Sequence, residues 1–129
     1  MNDRFKFRVW NKEQNRFHHS FSCDITACGT LVISQGIEGK KYIVDDDNYV
    51  VQQCTGLKDK NGKLIYEGDI VTGKDHFDRD RKCIVRYSET YCCYFIVGDG
   101  WSDEYMFNLN DKEVIGNIYK NKELLEECE

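Results

Sequence analysis

The chain has 129 residues, a formal net charge of −5, and 40% hydrophobic and 32% charged residues. That length suits one domain, or one domain with a small appended lobe, and it can bury roughly two-thirds of its unfolded surface without a staple. The acidic balance argues against general nucleic-acid binding, which relies on surplus Lys and Arg, and no apolar run nears the ~20 residues of a membrane span.

Residues 4–10, RFKFRVW, alternate, with Phe5, Phe7 and Val9 on one face and Arg4, Lys6, Arg8 and Trp10 on the other. This predicts a strand with one buried face. The polar turn at 11–15 leads to a return strand, Arg16 to Phe21, and so to an N-terminal hairpin. Residues 22–40 are less patterned, with strands predicted at Thr30–Ser34 and Lys40–Val44 and an acidic turn at Asp45, Asp46 and Asp47. Tyr49 to Cys54 reads as the next strand. Lys60-Asn61-Gly62-Lys63 is a tight turn into a short return run, Leu64 to Tyr66, since Asn and Gly accept positive φ at little cost. Gly68 opens a further strand, Asp69-Ile70-Val71. Thr72 to Lys82 reads as a hydrophilic loop or hairpin tip. Strands follow at Cys83–Tyr87 and Tyr91–Val97, then a turn at Gly98-Asp99-Gly100 with Trp101 at its tip. Tyr105–Leu109 pairs back, Glu113–Tyr119 is the last strand, and Asn121 caps a short helix, Lys122 to Cys128, whose Leu124 and Leu125 dock on the barrel.

Seventeen aromatics and no proline fit short strands separated by turns, hence an all-β barrel or sandwich. The expected architecture is an SH3-like small barrel over 51–129 with a short C-terminal helix, preceded by an N-terminal β lobe over 1–50.

The run 53–63, QCTGLKDKNGK, followed by 65–71, IYEGDIV, closely resembles the signature of the YopX family of phage and prophage proteins. Phe7-Arg8-Val9-Trp10 is similar to the family's opening motif. Val114-Ile115-Gly116-Asn117-Ile118-Tyr119 is similar to its closing strand. Cys54 stands where the family more often has an aromatic or other apolar residue. Lys122 stands where a proline often precedes the terminal Glu-Leu-Leu. The resemblance implies a mostly β fold and a phage setting, and leaves the mechanism open.

The seven cysteines read as small buried hydrophobes of a reducing compartment. His18, His19, Cys23 and Cys28 match no zinc spacing. The three adjacent aspartates lack the calcium-loop pattern, and Gly36 to Gly39 lacks the Lys-Ser/Thr of a phosphate loop. No hydrolase or protease motif is present. Glu67 and Asp69, two apart on a strand, read as solvated edge carboxylates, like the other charges of the signature stretch. No catalytic residue, metal or cofactor is expected.

The leading expectation is therefore a non-enzymatic phage accessory protein that binds a host macromolecule, protein first. Its candidate binding residues are Arg8, Trp10, Lys58, Asp59, Arg79, Arg81 and Trp101, since exposed aromatics and arginines anchor interfaces and loops carry contacts. The alternative is an oligomeric binder of a nucleotide-like small molecule that sequesters a host signal. A weaker one is single-strand nucleic-acid binding through Tyr91, Tyr94 and Trp101. The host cytoplasm is the expected location and a homo-oligomer the expected state.

Overall fold

Alternating apolar residues and glycine-bearing turns fold the chain into short antiparallel strands. The computed structural model describes residues 2–19, 22–35, 38–44, 47–98 and 104–125. The protein is mainly β, 56% strand. It divides into two compact units, residues 8–52 and residues 1–7 with 53–129. Strand β6, Tyr49–Lys58, runs from the first into the second.

In the 8–52 unit, β1, Phe7–Asn11, pairs with β2, Arg16–Phe17, with Trp10 opposite Phe17. β3, Cys23–Ile25, β4, Leu31–Gln35, and β5, Lys40–Val44, form a three-stranded sheet in that order. Val9, Trp10 and Asn11 are all buried, so β1 is covered on both faces where the alternation predicts one. Trp10 packs edge-on against Phe17, with ring centroids 4.8 Å apart.

In the second unit, β7, Leu64–Tyr66, pairs with the end of β6. Gly62, at φ +83°, takes the left-handed position of the connecting turn, while Asn61 keeps a negative φ. The connection is a longer loop closed by the Asp59 N–H donating to the Lys63 carbonyl at 2.7 Å. Next come β8, Asp69–Lys74, β9, Asp80–Ser88, β10, Cys93–Gly98, β11, Glu104–Tyr105, and β12, Asn110–Asn117. They form one five-stranded antiparallel sheet in the order β11-β10-β9-β8-β12. A single 3-10 turn, Met106–Asn108, precedes β12.

The core lies on one face of this sheet: Val71 from β8, Cys83 and Val85 from β9, Ile96 from β10, with Ile65, Met106 and Leu109. Burying each such aliphatic side chain contributes about 1.5–3 kcal/mol. Period-two alternation puts Cys83 and Val85 inward, so their neighbours on β9 face the other way.

Thr72 to Lys82 is a hairpin tip, one of the two forms expected of it: β8 runs to Lys74, β9 starts at Asp80, and the two strands pair. Two expectations need correcting here. Tyr105–Leu109 pairs back only through Glu104–Tyr105, because the chain then closes a 3-10 turn, Met106–Asn108, with the Leu109 N–H donating to the Met106 carbonyl. Among the described residues of the C-terminal segment, Lys122–Leu124 form a 3-10 turn, and the Asn121 side chain does not cap it. Its Oδ1 accepts the Asn117 N–H at 3.0 Å instead. Residues 126–129 of the expected helix lie outside the described residues.

Candidate functional site

Register decides which side chains meet on the outward face of the five-stranded sheet. β8 and β9 pair with Thr72 opposite Lys82, Gly73 opposite Arg81 and Lys74 opposite Asp80. Opposed residues share a face, and so do residues two apart. Thr72, Lys74, Asp80 and Lys82 therefore stand together, opposite to the face of Val71 and Cys83. β12 adds Asp111, and the turn after β6 adds Lys60. These residues, with Gly73 and Arg81, line a cleft of about 480 Å³.

Two buried aspartates hold the ends of the cleft in shape. Asp59 is 7% exposed. Its Oδ1 accepts the N–H groups of Asn61 and Lys63, both at 2.9 Å, and its Oδ2 accepts that of Val114 at 3.0 Å. The Lys60 N–H donates to the Lys112 carbonyl at 2.8 Å, so the turn carrying Lys60 is fastened to β12. Asp75 is 3% exposed. Its Oδ1 accepts the N–H groups of Phe77 and Arg79, and its Oδ2 accepts both the Arg79 and Arg81 Nε–H, all at 2.9 to 3.0 Å. A third, Asp69, accepts the Tyr66 N–H at 2.8 Å and the Asn117 side-chain amide at 3.4 Å.

Burial pushes the Asp59 carboxyl up, but the N–H groups of Val114, Lys63 and Asn61 outweigh it and carry the group below its ordinary range. Asp75 behaves alike: burial opposes ionisation, while the Arg79 N–H, the Arg81 guanidinium and the Phe77 N–H hold it well below the usual carboxylate range. Glu67 goes the other way, raised by burial. A carboxyl depressed on folding stabilises the native state above its unfolded value, about 3.8, and that stability is lost as pH falls through the folded value. The urea midpoint is thus expected to hold from neutral pH to about pH 5 and to drop steeply below about pH 4. Glu67 acts in a different window: its burial penalty eases as pH falls towards its unfolded value, about 4.5, above the range of the drop. A midpoint unchanged down to about pH 2.5 contradicts the assignment.

The sequence-predicted site residues scatter. Arg8 is half-buried, donates its Nε–H to Gln52 Oε1 at 2.9 Å and sits 4.7 Å above the Phe17 ring. Trp10, expected as an exposed anchor, is 2% exposed, because β1 is covered on both faces. Lys58 is exposed at the end of β6. Asp59 and Asp69, expected to be solvated, are buried acceptors, because each meets backbone N–H groups that only the fold aligns. Arg79 and Arg81 converge on Asp75, and Arg81 alone of the set lines the cleft. Trp101 lies outside the described residues. Thr72, Lys74 and Lys82 lie in the hydrophilic stretch expected to carry contacts but were not singled out, and Lys60 read as a solvated turn charge. A hairpin register centred on 77 would have found three of them, since 72 faces 82 and 74 faces 80.

A second feature lies around β10 and β11. Ser88, Tyr91, Cys93, Phe95, Glu104 and Tyr105 line a pocket of about 270 Å³. Tyr91 is 71% exposed and Phe107 74%. Tyr105 and Phe107 stack with ring centroids 5.5 Å apart and planes 8° from parallel. Cys28 and Cys92 are exposed, whereas Cys23, Cys54 and Cys83 are buried as expected of small hydrophobes. Among the described residues no three His, Cys, Asp or Glu side chains gather as metal ligands.

Fold and surfaces together define a small, mainly β protein whose distinctive chemistry lies in a charged cleft and an aromatic face carried on an antiparallel sheet. The chain matches the family model described as YopX protein over residues 6–126, and it belongs to the YopX family. Among solved structures it is similar to protein EF1440 from Enterococcus faecalis, with 26% identity and a TM-score of 0.55 over 93% of this chain and 96% of that one. It is also similar to protein yopX from Bacillus subtilis, with 23% identity and a TM-score of 0.64 over 96% of this chain and 98% of that one. No curated protein matches the chain.

Proposed function

We propose that this YopX-family chain is a non-enzymatic accessory protein of a phage or prophage, and that it binds a host protein in the host cytoplasm. The aromatic face carries the reading. Tyr91, Tyr105 and Phe107 present rigid rings to solvent beside a shallow pocket. Tyrosines of this kind supply large contact area at low entropic cost and are enriched among interface hot spots. The Ser88 Oγ accepts the Tyr91 N–H at 3.2 Å and fixes the turn that holds that ring.

The scaffold beneath is an SH3-like barrel. Its support is the order β12-β8-β9-β10-β11, a four-strand meander whose fifth strand returns to pair with the first after a 3-10 turn. Loops and edges of such barrels present binding residues while the sheet stays rigid.

The test is recovery from infected cells. Tagged wild type and a Tyr91→Ser/Tyr105→Ser/Phe107→Ser variant are purified side by side, and the retained host proteins are quantified by mass spectrometry. A host protein retained by the wild type and reduced at least about tenfold in the variant is expected, since hot-spot aromatics each contribute 1–2 kcal/mol or more. Matching melting curves verify that the variant is folded. Identical retained sets from the two proteins exclude this face as the docking surface.

A further inference from the structure

We propose that the cleft over Thr72 is a binding site for a small phosphate-bearing ligand. It lies apart from the aromatic face, and nothing in it depends on a host-protein partner.

The residue types are those that phosphate recognition needs. Lys74, Lys82 and the Thr72 hydroxyl are placed by one stretch of β8–β9 register, and Lys60 joins them from the adjoining turn. Three amines and a hydroxyl suit the several strong acceptor oxygens of a phosphate better than the two of a carboxylate. The lining carries four cations, Lys60, Lys74, Arg81 and Lys82, against two carboxylates, Asp80 and Asp111. Arg81 is held by the buried Asp75, so the three lysines are the amines a ligand can reach.

The amines already have partners. Lys74 pairs with Asp80 at 2.7 Å and Lys60 with Glu113 at 3.5 Å. Both pairs stand in solvent, where such bridges contribute little. A polyanion can take the amines while the carboxylate side chains swing to water. The frame, by contrast, is fixed, because Asp59 and Asp75 bind backbone N–H groups at both ends of the cleft. A preformed frame lowers the ordering cost of binding.

Size favours a small molecule. About 480 Å³ falls within the ~300–1,000 Å³ typical of small-ligand pockets. A nucleic-acid strand needs an extended basic track, and here Asp80, Asp111 and Glu113 interrupt the rim.

Titration calorimetry at about 50 mM salt tests the site with three probes: inorganic pyrophosphate, adenosine diphosphate and an oligothymidylate. One-to-one binding of pyrophosphate or the nucleotide is expected. It should weaken at least about tenfold in Lys74→Gln/Lys82→Gln and in Thr72→Val, and stay unchanged in Lys120→Gln, an exposed residue outside the lining. Clearly tighter nucleotide binding identifies a nucleotide as the source of the phosphate. Equal binding identifies the phosphate group alone. The lysine variant changes only side chains on the cleft rim, so it carries the test even where Thr72→Val folds poorly. Absence of binding by both small probes, undiminished binding in the lysine variant, or tighter binding of the oligothymidylate overturns the proposal.

Discussion

Replacing Asp59 with alanine is expected to lower the unfolding free energy by about 2–4 kcal/mol. The carboxylate accepts three backbone N–H groups, from Asn61, Lys63 and Val114. An unsatisfied buried donor costs about 1–3 kcal/mol. The turn residues can recover some of that from water, since Asn61 and Lys63 are exposed. Val114 sits in β12 and packs against the core, so its N–H is the hardest to satisfy again. Asp59→Asn should cost about half as much. Its Oδ1 still serves the turn, but its amide meets the Val114 N–H donor to donor. Urea titration followed by far-ultraviolet circular dichroism reads both values, with an unchanged slope showing that the same surface unfolds. A loss below about 1 kcal/mol for the alanine variant would mean that the turn is held by its backbone bonds alone. Because Lys60 rides on this turn, the alanine variant should also loosen one wall of the cleft.

Asp59 also shows where sequence reading stops. Turn chemistry was legible: the Asn61-Gly62 turn and the central parts of β8, β9, β10 and β12 follow from apolar alternation and glycine placement, whereas Met106–Asn108, expected within a strand, is a 3-10 turn. β3 was not legible, because its three residues carry no period. Asp59 and Asp69 read as solvated charges, and Asp75 drew no reading of its own, since a carboxylate among turn residues looks the same whether it faces water or a ring of N–H groups. Only the backbone path decides, and that path includes partners 55 and 48 residues away. Trp10 was misplaced for a related reason. Alternation assigns one face to the core and is silent on what covers the other. The cleft was half legible. Its residues were in view as a charged stretch, but which of them share a face depended on the register of one hairpin.

The second large effect is expected at Gly73, where the floor of the cleft backs onto the core. An added Cβ would lie 2.6 Å from both the Asn110 carbonyl oxygen and the Leu109 Cγ. Something must shift, and overpacking of this kind costs about 1–3 kcal/mol. Leu109 is fully buried, so Leu109→Ala alone should cost about 2–5 kcal/mol through lost burial and a cavity. The pair distinguishes the two sources of the Gly73 clash. Leu109→Ala removes the side-chain half of the obstruction and supplies room for the new methyl group. The double variant should therefore lose less than the two singles combined, by about 0.5–1.5 kcal/mol. The coupling cannot be complete, because the Asn110 carbonyl belongs to β12, which is paired to β8 at Lys74. Strict additivity in a double-mutant cycle would place the whole cost on the backbone contact. In that case Gly73→Ala should shift the β8–β12 register itself, and amide hydrogen exchange in β12 should speed up while that in β10 stays protected.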